Sequence, residues 1–217
     1  MKALTICFDL DGTLLHSAPA VHRSLQEACR RNGVTPPSLE ALSSCMGPPL
    51  ASFLPELLST TRQQTLAVID SFRVHHDSIG CFDYELFPSI EGLLTSLKQR
   101  GHLLYVVTNK PLAASVLALN QHGLRSAFEN IYSPDGSWRP PTPGRCEKAS
   151  TLTMLNSLHS TNKLIYVGDT YSDRIAAERA DIHFVHASYG YGVDKAAPMQ
   201  IRQPIDLLTY IETLDNP

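Results

Sequence analysis

The stretch "LTICFDLDGT", residues 4–13, decides how this chain is read. Leu4 to Phe8 is an apolar run of the length of a buried strand, and Asp9, Asp11, Gly12 and Thr13 close it. Two carboxylates so close repel each other, and taking them out of water is costly. In extended backbone, residues i and i+2 project to the same side. Asp9 and Asp11 therefore face one place if the strand persists, and such a place needs a cation.

Working outward, four more segments read as strands: 102–107, 130–133, 163–168 and 183–188. Helical patterns alternate with them: "IEGLLTSLKQRG", "PLAASVLALNQHG", "EKASTLTMLNSLH" and "YSDRIAAERA", with "PIDLLTYIETL" near the end. Gly101 and Gly123 fall where helix C-caps are expected. Strand alternating with helix predicts an α/β fold: a Rossmann-like parallel sheet with crossover helices on both faces. Residues 16–82 break the rhythm. They read as helices separated by "VTPPS", "GPP" and "STT", without a clear strand. The expected organisation is a core of residues 1–15 and 83–217 with an inserted α-helical cap, 16–82. The Pro- and Gly-rich segment from 133 to about 147 reads as a loop.

In an open parallel sheet the C-terminal strand ends lie side by side and form the ligand crevice. Here they carry Asp9, then Thr108, Asn109 and Lys110, then Gly168, Asp169 and Thr170. Asp173 is four residues beyond Asp169 and shares its helix face. Gathered carboxylates with no Cys partner suit Mg²⁺, a hard cation that takes oxygen ligands. A hydroxyl and a lysine beside them suit a small anion, most simply a phosphate. Spare carboxylates can then act as nucleophile and acid/base.

The whole sequence, 217 residues, is 43% hydrophobic and 18% charged with a formal net charge of −3. That balance suits a globular chain and argues against a nucleic-acid polymer or membrane surface as partner. Five scattered cysteines (Cys7, Cys29, Cys45, Cys81, Cys146) form no C-x-x-C and read as reduced thiols. With no signal-peptide pattern and no membrane-length apolar run, the expected compartment is the cytoplasm. Monomer and dimer both stay open.

"DLDGT" (9–13), Thr108 closing an apolar strand, a lysine ahead of the last motif, and "GDTYSD" (168–173) together resemble the four motifs of the haloacid dehalogenase-like superfamily. The likeness runs along nearly the whole chain. "FRVHHDSIGCFDYELFPSIEGLLTSLKQRGHLLYVVTNKP", "MGPPLASF" and "ADIHFVHASYGYG" are similar to its phosphoglycolate phosphatase-like branch. The resemblance implies a Mg²⁺-dependent phosphatase for a small phosphorylated metabolite, such as phosphoglycolate or a nucleoside monophosphate. It implies Asp9 as nucleophile and Asp11 as acid and base. Asp9, the Asp11 carbonyl and Asp169 become metal ligands, and Asp173 supports the metal directly or through water. Thr108, Asn109 and Gly12 are placed at the phosphate, and Lys148 screens its charge. Such hydrolysis is very slow uncatalysed, and enzymes accelerate it by up to ~10²¹.

The chain also departs from the family pattern. His16 stands where an acid is usual, which points to cap closure or substrate choice. "FPS" (87–89) replaces "YPG", and Ala180–Asp181 replaces "AG". The segment before Lys148 is lengthened, so Arg139 or Arg145 is an alternative source of positive charge. Other residues read blandly. His75 and His76 belong to a solvated helix face, Arg73 and Lys110 are surface charges near the crevice mouth, and Cys7, His183 and His186 are structural. Asn109 is a helix cap or a phosphate contact; Gly47 to Leu50 is a specificity loop or a helix break. Two other functions compete. A sugar phosphomutase of this fold would carry a histidine where Val21 stands, one residue before His22, and a basic residue where Pro48 and Pro49 stand. A binding protein on the same scaffold would be marked by loss of Asp9, Asp11 or Asp169. A dehalogenase does not call for the second aspartate.

Overall fold

The computed structural model describes residues 3–80, 83–137 and 147–215. The central strand is β1 (Thr5–Phe8), and residues after it form β2 (Leu15–His16) and four helices: α1 (Ala18–Arg31), α2 (Leu39–Ser43), α3 (Leu50–Leu57) and α4 (Arg62–Ser78). Next come β3 (Glu85–Leu86), α5 (Ile90–Gln99), β4 (Leu103–Val107), α6 (Leu112–Gln121), β5 (Asn130–Ser133) and β6 (Gly136–Ser137). The chain ends with α7 (Lys148–Leu158), β7 (Leu164–Gly168), α8 (Tyr171–Arg179), β8 (His183–Ala187), β9 (Gln200–Ile201) and α9 (Asp206–Asp215).

The main sheet has the order β6-β5-β4-β1-β7-β8-β9, and all its pairs are parallel except β5–β6. The α/β reading of the sequence holds, with the five expected strands within two residues of their places. The two-residue strands β2, β3, β6 and β9 were not anticipated; they are too short to carry a period.

Alternation along β1 explains the layers. Ile6 and Phe8 join Leu104, Val106, Ile165 and Val167 in one apolar layer, which α5, α6 and α9 cover. Cys7 points the other way, with Tyr105, Val107 and Tyr166, onto α7 and α8. Each such fully buried side chain contributes about 1.5–3 kcal/mol relative to exposure. The first layer continues into α1 and α4 through Val21, Leu25, Ile69 and Phe72. Thr61 and Gln64 form a capping box that starts α4. β2 pairs antiparallel with β3, Leu15 opposite Leu86 and His16 opposite Glu85. The helical segment thus leaves and rejoins the core at neighbouring points. No helix among the described residues is long and apolar enough to cross a membrane.

Two of the departures from the family pattern have a backbone explanation. Ser89 sits at φ 71° and Asp181 at φ 53°, in the left-handed region that favours glycine. The family's glycine is missing at both turns while the backbone still adopts the glycine conformation. Ser89→Gly and Asp181→Gly should each stabilise the fold by roughly 0.5–1 kcal/mol. Urea unfolding midpoints check this; unchanged or lowered midpoints would show that the serine or aspartate side chain compensates for the strain.

Candidate active site

β1 and β7 are neighbours, but the chain leaves them in opposite directions, towards β4 and towards β8. That reversal opens a crevice at their C-terminal ends. The Asp9 N–H donates to the Val167 carbonyl at 2.9 Å, which fixes Asp9 beside the end of β7. Gly12 follows at φ 82°, and a Cβ there would lie 2.2 Å from Asp169 Oδ2. Gly190 closes over the same place: its Cβ would lie 2.3 Å from the Gly12 carbonyl oxygen. Only glycine allows three backbone segments to meet around Asp169 so closely. The Tyr191 N–H donates to Asp169 Oδ2 at 2.8 Å and the Thr13 hydroxyl reaches Oδ1 at 3.5 Å. The Gly12 N–H is engaged by the Leu15 carbonyl at 2.9 Å.

Lys148, at the start of α7, is buried between two carboxylates. Its Nζ is 2.9 Å from Asp9 and 2.6 Å from Asp173. Asp173 also accepts hydrogen bonds from the Tyr166 hydroxyl at 2.9 Å and from the Thr170 N–H and hydroxyl at 3.0 and 2.6 Å. Burial works to raise the Asp173 pKa, but the Lys148 charge and these bonds outweigh it, so the net shift is downward. Asp9 goes the other way, up to about 6. Burial outweighs Lys148 there, with the Asp173 charge adding to the rise. The difference is in the bonding, because Asp9 Oδ1 is buried without any hydrogen-bond partner. Burial, then Asp173 and Asp9, push Asp169 up to about 8. Lys148 itself is held protonated, since its two carboxylates more than offset its burial.

Asp11 meets a different lysine. Lys110 Nζ lies 3.2 Å from both Asp11 oxygens and donates to the Tyr84 hydroxyl at 2.7 Å. That hydroxyl also bonds His76 Nε2, and His76 Nδ1 faces the Ser24 hydroxyl at 2.9 Å. A continuous polar chain thus runs from Asp11 to α4 and α1. This corrects two expectations. Lys110 is a buried partner of Asp11 rather than a surface charge. His76 is buried too, and burial lowers its pKa to about 4, so only His75 beside it keeps a half-buried position. Cys7 and His186 are buried, as expected of structural residues.

Thr108 is buried at the end of β4, and its hydroxyl accepts the Lys110 N–H at 3.2 Å. Pro111, not Asn109, caps α6, and the Asn109 Nδ2 donates to the Gly47 carbonyl at 3.1 Å. Asp9, Asp11, Thr108, Asn109 and Lys110 line one cavity of about 630 Å³, closed on the other side by α3, α4 and the loop before α3. His16 is outside that lining. Its ring packs on Phe87 and Tyr191, with centroids 5.2 and 6.0 Å away. Arg139, Arg145, Cys81, Cys146 and most of the loop before Lys148 lie outside the described residues. Cys7, Cys29 and Cys45 are free thiols.

The model of the haloacid dehalogenase-like hydrolases matches residues 6–187. The chain belongs to the haloacid dehalogenase-like hydrolase family. A phosphoglycolate phosphatase of Vibrio cholerae is 30% identical over 205 residues, spanning 88% of this chain and 87% of its own. A 5'-nucleotidase of Pseudomonas aeruginosa is 28% identical over 187 residues, 86% of this chain and 83% of its own. Among solved structures, a haloacid dehalogenase-like family protein from Streptococcus pneumoniae superposes with a TM-score of 0.84 at 24% identity, covering 96% of this chain and 98% of that one. The likeness in fold is thus nearly full length, and the chain is an enzyme of this family's phosphatase class.

This haloacid dehalogenase-like hydrolase has residues that fit a divalent cation. One oxygen from each of Asp9, Asp169 and Asp173 lies within 4.8 Å of the others. Three carboxylates face a single ammonium, all donors are oxygens, and Asp9 Oδ1 has no other partner. The Asp11 carboxylate is not in this group, being taken by Lys110. Lys110 and Tyr84 are what the sequence disguised. A lysine after a strand looks like any surface lysine, and only the closed sheet shows what it reaches.

A pH experiment follows. Asp169 titrates near 8 in the folded chain and ordinarily at 3.8. The folded state therefore holds an extra proton between those values, so the Asp169 contribution is greatest below 3.8 and is lost as pH rises through about 8. In metal-free protein, Asp169→Asn should remove that decline, so the variant gains Tm over the parent at pH above 8. Mg²⁺ should raise the parent's Tm most at the same high pH, because a bound cation replaces the proton. Parallel Tm–pH curves for parent and variant would contradict this reading.

Proposed function

We propose that this phosphatase hydrolyses a small phosphomonoester, phosphoglycolate- or nucleotide-like, with Mg²⁺ and through an aspartyl-phosphate on Asp9. The observation that carries the reading is that Asp9 and Asp11 line one cavity, each tied to its own buried lysine. A carboxylate with one oxygen on an ammonium and the other, Oδ1, without a hydrogen-bond partner is a ready nucleophile. A second carboxylate two residues on is placed for proton transfer.

In this reading the Asp9 carboxylate attacks phosphorus while Asp11 gives a proton to the leaving oxygen. Water then attacks the phosphorus of the acyl phosphate, Asp11 takes a proton from it, and the Asp9 oxygen–phosphorus bond breaks, freeing inorganic phosphate and the Asp9 carboxylate. Lys110 touches both Asp11 oxygens and so fixes the side chain that performs both transfers. Lys148 keeps Asp9 from being repelled by incoming phosphate and by Asp173. Thr108 and Asn109 are assigned to phosphate oxygens, Asn109 through its backbone N–H while its side chain stays on the Gly47 carbonyl. Gly12 is assigned the close packing on Asp169, since its N–H is already engaged. Asp9, Asp169 and Asp173 would hold Mg²⁺, with the Asp11 carbonyl as the further ligand the family suggests. Mg²⁺ bound there supplies charge neutralisation at the transferring group.

Residues 16–82 are assigned as the cap over this site, and 1–15 with 83–217 as the core. Free thiols and the absence of a membrane-length helix among the described residues support a cytoplasmic assignment. The phosphomutase reading is disfavoured. Val21 lines the cavity, and His22 Nε2 is bonded to the Pro37 carbonyl at 2.9 Å.

Phosphate release from a generic phosphomonoester tests the mechanism. Asp9→Asn should lose on the order of 10⁵-fold in kcat, and Asp11→Asn about 10²–10⁴-fold. Turnover that survives Asp9→Asn would rule out the aspartyl-phosphate. Lys110→Met should lower kcat through Asp11 yet leave Mg²⁺ binding intact, whereas Lys148→Met should disturb both. Equal effects of the two lysine variants on Mg²⁺ affinity would show that the site is not divided between them.

A further inference from the structure

The cavity is large for the smallest candidate substrates. It holds about 630 Å³, within the ~300–1,000 Å³ range of pockets that enclose drug-sized ligands. The loop before α3 is already seated on the core, through the Asn109 to Gly47 hydrogen bond, so this is the space under a covered site.

Its walls away from the carboxylates are apolar. They include Val21 on α1, Leu50 and Phe53 on α3, Ile69 and Phe72 on α4, and Leu117 on α6. Pro48, Pro49 and Pro111 also face it and have no backbone N–H to offer an anion. The charged groups there are few. Arg73 and Asp77 stand four apart on α4, hence on one face, with opposite charge. Lys110 is already committed to Asp11. His76 is held by Ser24 and Tyr84, and its burial keeps it neutral. Arg73, exposed on α4, is the cation that remains, and with Asp77 one turn on the two add no net positive charge to the lining.

We infer that the natural substrate is a phosphomonoester of a bulky, largely apolar alcohol bearing an aromatic ring and no second anionic group, and that phosphoglycolate is a poor substrate. This rests on the phosphatase reading given above and selects within it. An apolar wall gains from each carbon it covers, and a lining with no net positive charge beyond Lys110 gives the carboxylate of glycolate little to offset its desolvation.

Three primary-alkyl phosphates separate size from charge: phenethyl phosphate, ethyl phosphate and phosphoglycolate, each assayed with Mg²⁺ for phosphate release. We expect kcat/KM for phenethyl phosphate to exceed the other two by about tenfold or more. Phosphoglycolate equal to or better than phenethyl phosphate overturns the inference and leaves the phosphatase reading standing. No hydrolysis of any of the three overturns both. Ala51→Trp, at an exposed position of α3 on the cavity rim, should lower the phenethyl-to-phosphoglycolate ratio by about tenfold. An unchanged ratio shows that the leaving group does not occupy this space and also overturns the inference.

Discussion

Three carboxylates buried at the ends of two adjacent strands are the constraint around which this molecule is arranged. Asp9, Asp169 and Asp173 repel one another, and burial makes the repulsion stronger. Lys148 offsets part of it, and Tyr166 and Thr170 share the rest through hydrogen bonds to Asp173. The remainder is left on Asp9 and Asp169 as raised proton affinity. A structural core would remove such a debt with apolar residues; a catalytic one keeps it for a cation and an anion to discharge.

Asp173 shows how tightly structure and site are joined. It forms the capping box that starts α8 with Thr170, and its other oxygen receives Lys148. The start of the helix and the position of the lysine are therefore one arrangement. The same economy holds at Tyr191. Its N–H binds Asp169, while its hydroxyl accepts the Ala18 N–H at 2.8 Å where α1 begins. Asp169 and the start of α1 are thus held by two bonds of one residue.

Much of this was legible in the sequence, because period and position are local properties. Apolar runs ending in Asp9, Thr108 and Asp169 gave both the strands and their convergence. Asp9, Asp169 and Asp173 do come together, with Lys148 among them. What escaped were properties of reach. Lys110, Tyr84 and His76 come from three separate segments, and their polar chain exists only once α4 lies against β4's end. Strands of two residues escaped because alternation needs more length than they have. Ser89 and Asp181 were visible as departures, but their strain is a property of φ, which composition does not display.

The sheet order has a consequence for how the chain folds. β1 is the first strand to be made and the innermost in the sheet, yet its partners are residues 103–107 and 164–168. Its hydrogen-bonding groups stay open on one edge until β4, residues 103–107, is made and on the other until β7, residues 164–168. Long-range parallel pairing of this kind is slow, and an unpaired apolar strand invites association with other chains. The helices that follow β1 are built largely from contacts close in sequence and can form while it waits. The nascent chain thus carries an exposed apolar strand next to Asp9, and the later of its two pairings, with β7, is also the one that assembles the acidic cluster.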